Sequence, residues 1–276
     1  MKVKLLLLLL CLSSLCVMGD DNKGTQGTIT RDSTRKKKKE EPKKKEESKK
    51  QGGQGKSSTN RQASNNNQSA NKPVSKPSRP SNGYVSGHKW VDLGLSVKWA
   101  TMNVGANSPS DYGGYYAWGE TRTKSSYDWS NCYDCVNPND WDKDSGWGTY
   151  KLGGQTRITP SSGHDTAREN WGGSWRMPTD SENDELCKKC KWTWTSKNGH
   201  NGYNVTGPNG NSIFLPAAGW RGGTSSDCVG GLGGYWSSTL SSSYSYGARY
   251  LFFGSSNHYT DYGNRRYGRS VRPVTE

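Results

Sequence analysis

Residues 172–186 read GGSWRMPTDSENDEL, and the parsing of this stretch decides the fold. Pro178 sets a turn, and Thr179-Asp180-Ser181-Glu182 fits a capping box. In that motif the threonine hydroxyl accepts from an early helical amide while Glu182 reaches back to the cap. The spacing predicts a helix from Asp180 to about Cys190 with Leu186 facing a core. A second, shorter helix is expected in HDTAREN (164–170). The stretch reads as a shaped corner, with no nucleophile and base to suggest chemistry.

Outward from that corner the signals are those of strands. In VDLGLSVKWA (91–100), Val91, Leu93, Leu95, Val97 and Trp99 alternate with Asp92, Gly94, Ser96 and Lys98, a period of two that predicts one buried strand face. SIFLPAA, GYWSST, ARYLFF and SVRPV are similar short runs, separated by Gly, Asn, Ser and Asp clusters that mark turns. Short strands with one or two short helices predict an α+β domain. All 12 Trp lie from Tyr84 onward, so residues 84–276 are expected to hold a single core.

The preceding chain differs. MKVKLLLLLLCLSSLCVMG (1–19) has a basic start, an apolar run and a small-residue exit, the pattern of a signal peptide cleaved after Gly19. A lipid anchor is the rival reading, but Cys11 and Cys16 each follow a leucine, where lipoprotein processing needs a small residue. No other run is apolar enough for a transmembrane helix, which predicts an exported chain, extracellular or held at the cell surface. Residues 20–83 contain no Phe, Trp or Tyr and carry 17 Lys/Arg against 7 Asp/Glu, a net of +10. Such a segment cannot bury enough apolar surface to offset its ordering entropy, so a disordered basic stalk is expected. The domain keeps only +2 of the chain's +14. Basic charge without interleaved aromatics points to a solvated stalk beside anionic envelope polymer, and not to nucleic acid.

Several blocks in one order carry a family resemblance: WVDLGLSVKWATMNVGA, DYGGYYAWGET, NWGGSWRMPTDSENDEL, CKWTWTSKNGHNGYNVTG, NSIFLPAAGWRGG, GYWSST and YGRSVRPV. Spanning Lys89 to Val274, they resemble the Fibrobacter succinogenes major paralogous domain of secreted Bacteroidota-type proteins. That resemblance implies a C-type-lectin-like fold, also similar to the formylglycine-generating enzymes. It assigns scaffold roles to Trp99, Trp118, Trp175 and Trp236, with Arg176 bonding loops and Pro178 setting the turn. It implies no settled reaction.

Two CxxC pairs, Cys132/Cys135 and Cys187/Cys190, stand with a fifth cysteine, Cys228, beyond the signal. In an exported protein these four are disulfide candidates, with a four-thiolate zinc site as the alternative. A redox role for CKKC is disfavoured because the pair falls near a helix C-terminus, where the dipole opposes a thiolate. Asp140, Asp142 and Asp144 alternate as in a calcium loop, yet Ser145 and Lys151 occupy the positions where an EF-hand needs glycine and glutamate. Calcium is the alternative to a plain acidic turn there, and no cofactor is assigned.

His88, His164, His200 and His258 show no triad spacing, so no enzyme is expected. The C-terminal third, SSTLSSSYSYGARYLFFGSSNHYTDYGNRRYGRS, is rich in Tyr, Ser, Asn and Gly, the chemistry of adaptable binding loops. Tyr244, Tyr246, Asn257, Tyr259, Asp261 and Tyr262 are the ligand-binding candidates, for a glycan or another envelope or host surface component. Ordinary turns with a half-buried strand are the plainer reading of the same residues. A structural surface protein without soluble ligand, or an enzyme distantly akin to the formylglycine-generating group, stay as alternatives. The same composition fits a target of adenine-directed retroelement diversification. Genome sequencing then finds a reverse-transcriptase gene and a near-copy of the last third of this gene beside it; their absence excludes diversification.

Overall fold

The computed structural model describes residues 81–133, 155–243 and 246–276. The signal segment, the basic tail before Ser81, Cys135, the Asp140–Asp144 loop and Tyr244 lie outside them. The described chain is mostly small antiparallel sheets with two short α-helices, in keeping with an α+β or mostly-β class.

The first sheet joins the two ends of the domain. β1 (Asn82–Val85) and β2 (His88–Val91) form a hairpin across Ser86 and Gly87, and β1 begins two residues before the boundary expected at Tyr84. β3 (Lys98–Ala100) pairs with β2 on one side and with β12 (Val274–Thr275) on the other. The alternating run 91–100 is therefore not one strand. Its apolar residues do go inward, with Leu93, Val97 and Trp99 buried. Gly94, at φ +76°, breaks the strand, and the Asp92 side chain accepts from its amide to hold the bend.

α1 (Thr166–Trp171) and α2 (Asp180–Lys189) follow the expected capping chemistry. The buried Asp165 side chain accepts from Ala167 and Arg168 amides and, across the corner, from the Met177 amide, each at 3.0 Å. Burial pushes its carboxyl above the usual range while these donors act in the opposite sense. At α2 the Glu182 amide donates to Thr179 Oγ1, and Glu182 takes the Thr179 amide in return. Glu182 also receives both Nη groups of Arg176, at 2.6 and 2.8 Å, and Arg176 reaches Glu276 at 2.9 Å. Arg176 thus ties a helix start to the chain end. Pro178 is buried, and its carbonyl accepts from the Ser238 amide.

After α2, β4 (Lys191–Lys197) and β5 (His200–Thr206) turn on Asn198 and Gly199, at φ +50° and +81°, a two-residue turn suited to strand twist. β6 (Ser212–Pro216) completes that sheet, and β7 (Trp220–Gly222) with β8 (Ser225–Asp227) makes a small hairpin. The central sheet has the order β11 (Asn257–Asn264), β10 (Gly247–Gly254), β9 (Gly233–Leu240). Both faces of β9 and β10 are covered. Trp236, Ala248, Tyr250 and Phe252 join one core with Trp118 and Trp175. Tyr235, Leu251 and Phe253 join another with Trp99, Leu186 and Leu215. Burial on both faces explains why ARYLFF is apolar almost throughout; it is a central strand and not the half-buried one of the plainer reading.

The segment 265–275 threads between these parts. Its carbonyls accept from Trp118, Tyr116, Trp236, Val104 and Ala100 amides. Arg272, fully buried, donates to Asn103 Oδ1, the Ala100 carbonyl and the Phe214 carbonyl at 2.8–3.1 Å. Burial lowers its pKa to about 10. Arg269, also buried, lies 3.7 Å from the Tyr250 ring and 5.1 Å from that of Trp236. Arg272→Met leaves three buried acceptors dry, and is expected to cost about 3–5 kcal/mol in urea unfolding. A loss under about 1 kcal/mol contradicts that role.

Candidate functional site

The open end of the β10–β11 ladder, at Gly247 and Asn264, is closed by the Arg265 amide donating to the Tyr246 carbonyl at 3.1 Å. The chain then turns, with the Tyr267 amide bonded to the Asn264 carbonyl, and sets Arg266 and Tyr267 beside a short 3₁₀ turn, Trp129–Asn131. Asp128 and Asn131 cap that turn reciprocally. The Arg266 guanidinium lies 4.4 Å from the Tyr267 ring and 5.5 Å from that of Trp129. It donates to the Tyr127 carbonyl and the Tyr267 hydroxyl. Tyr246 meets Trp129 edge to face at 6.2 Å.

Trp129, Tyr246, Arg266 and Tyr267 are all half-buried, so they form a ridge with fixed bases and wet tips. Gly222 of β7 makes room for Tyr267, since a side chain there would begin 3.1 Å from its ring. Arg221 pins the neighbouring loop by donating to the Lys124, Ser125 and Thr224 carbonyls, its guanidinium over the Tyr127 ring. Ring faces beside a planar guanidinium can stack on flat apolar surfaces and donate in the plane.

The five expected contact residues that are described do not form one patch. Tyr246 belongs to the ridge. Asn257 lies at the other end of β11, about 23 Å from Asn264 at strand rise. Asn257, Tyr259 and Asp261 share the face of Phe252 and Tyr250, whereas Tyr262 points to the opposite face with Arg249. Tyr259 packs on Phe252 at 4.9 Å yet stays 43% exposed, and Tyr262 is 38% exposed. Asp261 accepts from the Tyr262 amide at 2.8 Å. Sequence reasoning missed Trp129, Arg266 and Tyr267 as a group, because the turn holding Trp129 is distant in the chain.

Beside the Trp118 loop lies an open groove of roughly 310 Å³, lined by Gly119, Glu120, Arg122, Tyr133 and His164 among others. His164 Nδ1 faces the Gly119 carbonyl at 3.1 Å and Nε2 the Tyr133 hydroxyl at 2.9 Å. Glu120 accepts from the Tyr133 amide and Lys124. With Asp165 turned to helix amides, His164 and Asp165 do not act as a couple.

Cys132 and Cys228 are both disulfide-bonded. Cys187 and Cys190 are free thiols, which corrects the expected disulfide there. Both pack with Trp192 and Trp194 against the second core, where a neutral thiol serves as a small hydrophobe. Burial, with Asp184 adding to it, pushes Cys187 up to about 12, and burial pushes Cys190 up to about 11. Among the described residues no cluster of three or more His, Cys, Asp or Glu is placed to hold a metal, and no helix is long and apolar enough to cross a membrane. Comparison with protein-family models, curated proteins and solved structures returned no match.

The thiols give a test. Relative to an ordinary value of 9.0, Cys190 holds on the order of 100-fold less thiolate at pH 8, so native alkylation is slowed by about that factor against the unfolded chain. Above about pH 9 the unfolded chain loses these protons first, so stability falls as pH rises. Equal alkylation rates in native and unfolded protein contradict this placement.

Proposed function

We propose that the chain is an exported, surface-associated recognition protein that binds a glycan or another envelope or host surface component. In this reading the domain has the C-type-lectin-like fold implied by the resemblance to the Fibrobacter succinogenes major paralogous domain. The pairing of its first sheet with the chain end, and two short helices beside a central sheet, support that reading.

The observation that carries the binding reading is the ridge of Trp129, Tyr246, Arg266 and Tyr267. Their bases are fixed by a capped turn, a ladder end and the buried 265–275 segment, so little side-chain entropy is lost on contact. Sugar rings offer the flat C–H faces that such rings stack on, and their hydroxyls suit the guanidinium. The reading assigns recognition and no reaction.

The test is a screen of the full chain against immobilised glycans and cell-wall polymers, with and without a calcium chelator. Saturable binding is expected, and Trp129→Ala or Tyr267→Ala weakens it about tenfold, the equivalent of ~1.4 kcal/mol. Tyr259→Ala, on the remote stretch of β11, changes it less than about twofold. Loss of binding on chelation would bring in the Asp140–Asp144 loop. Binding indifferent to both ridge variants, in protein shown to be folded, overturns the ridge as the site. No binding at all favours the structural alternative.

A further inference from the structure

β11 is the outer strand of the central sheet and runs eight residues, NHYTDYGN, without a Lys, Arg or Pro. The two-residue turn to β10 makes Gly254 and Asn257 a hydrogen-bonded pair. Alternation then turns the backbone of Asn257, Tyr259, Asp261 and Gly263 toward β10. It leaves the N–H and C=O groups of His258 and Thr260 facing outward, and among the described residues these have no backbone partner beyond the ladder. The Tyr262 amide lies on this same outer side, met by its neighbour Asp261.

The other long edges are managed. β4 carries Lys191 and Lys197 at its ends, a usual defence against edge pairing. β9, at the far side of the central sheet, is covered through Tyr235–Ser270, Thr239–Arg157 and Gly233–Gly219 bridges. Among the described strands at a sheet edge, β11 is eight residues long, regular in register and uncharged but for Asp261, and it carries two of the exposed large side chains, Tyr259 and Tyr262.

We infer that β11 pairs antiparallel with β11 of a second copy of this chain, joining two central sheets about a two-fold axis at Thr260. The strand bounds favour this register, since a centre at His258 or Tyr262, the neighbouring outward residues, would pair fewer of residues 257–264. Opposed residues must share a sheet face, so partners differ by an even step. A centre at Asp261 sets two carboxylates together and places inward-facing backbone groups at the axis. A centre at Thr260 pairs the outward groups of the two Thr260 residues, sets Tyr259 opposite Asp261 of the copy, and sets Tyr262 opposite His258. His258 is held for this by stacking on Trp192 at 4.4 Å, and Thr260 by accepting from Arg249 Nη2 at 2.9 Å. Three of the expected ligand contacts, Tyr259, Asp261 and Tyr262, thereby become self-association contacts, at a distance from the ridge.

Sedimentation equilibrium of the full chain reads the association directly: a concentration-dependent mass rising to twice that of the chain. Thr260→Pro removes an outward donor without touching the β10 ladder, and Thr260→Lys sets two ammonium groups at the axis. Both variants are expected to be monomeric. Should either fail to fold by near-ultraviolet circular dichroism, short thiol cross-linking decides the matter. Thr260→Cys links to its own copy, identified at peptide level. Asn257→Cys, set about 20 Å from its copy by the register, does not. A chain that stays monomeric at all concentrations, a dimer that survives both folded variants, or linkage through residue 257 as readily as 260 overturns the inference.

Discussion

A buried guanidinium answered by carbonyl oxygens, with no carboxylate beside it among the described residues, ties this fold together. Arg272 sits fully buried between the end of β3, the Asn103 loop and β6, and the three carbonyl oxygens it bonds come from different parts of the chain. Removing such a charge from water is costly, and the cost is offset only while all three acceptors remain in place. The arrangement is therefore cooperative. The first sheet, the β4–β6 sheet and the C-terminal segment must assemble together or leave a dry charge and dry carbonyls.

The same segment extends that constraint to the surface. Arg269 rests on Tyr250 and Trp236 inside the core, Arg265 lies over Trp118, and the next two residues, Arg266 and Tyr267, emerge as the ridge. Scaffold and ridge are neighbours in one stretch of chain. The ridge inherits its rigidity from buried arginines within six residues of it.

Local patterns in the sequence were legible where local chemistry decides. The capping box at Thr179–Glu182 and the cap at Asp165 are complete within four residues, and both helices lie where those patterns place them. The apolar period of 91–100 names Leu93, Val97 and Trp99, which are buried, while Val91 and Leu95 are only half-buried, and the strand is broken by one glycine whose bend depends on Asp92. The β4–β5 hairpin is signalled by Asn198-Gly199 after the alternating Trp and Thr of β4. The site was legible only in part. Tyr246 follows from loop composition, whereas Trp129 and Arg266 meet through tertiary packing that no spacing encodes. The thiols of Cys187 and Cys190 show the converse: compartment argued for a disulfide, and burial against Trp192 gives them another use.

Native-state hydrogen exchange of the amides that donate to the C-terminal segment tests this dependence most directly. The Ala100, Val104, Tyr116, Trp118 and Trp236 amides all bond its carbonyls. They are expected to exchange only through global unfolding, with the same free energy as the β9–β10 ladder and the same response to denaturant. If they exchange through a local opening while the central sheet stays protected, the segment is a peripheral strap, and the ridge it carries is not fixed by the core.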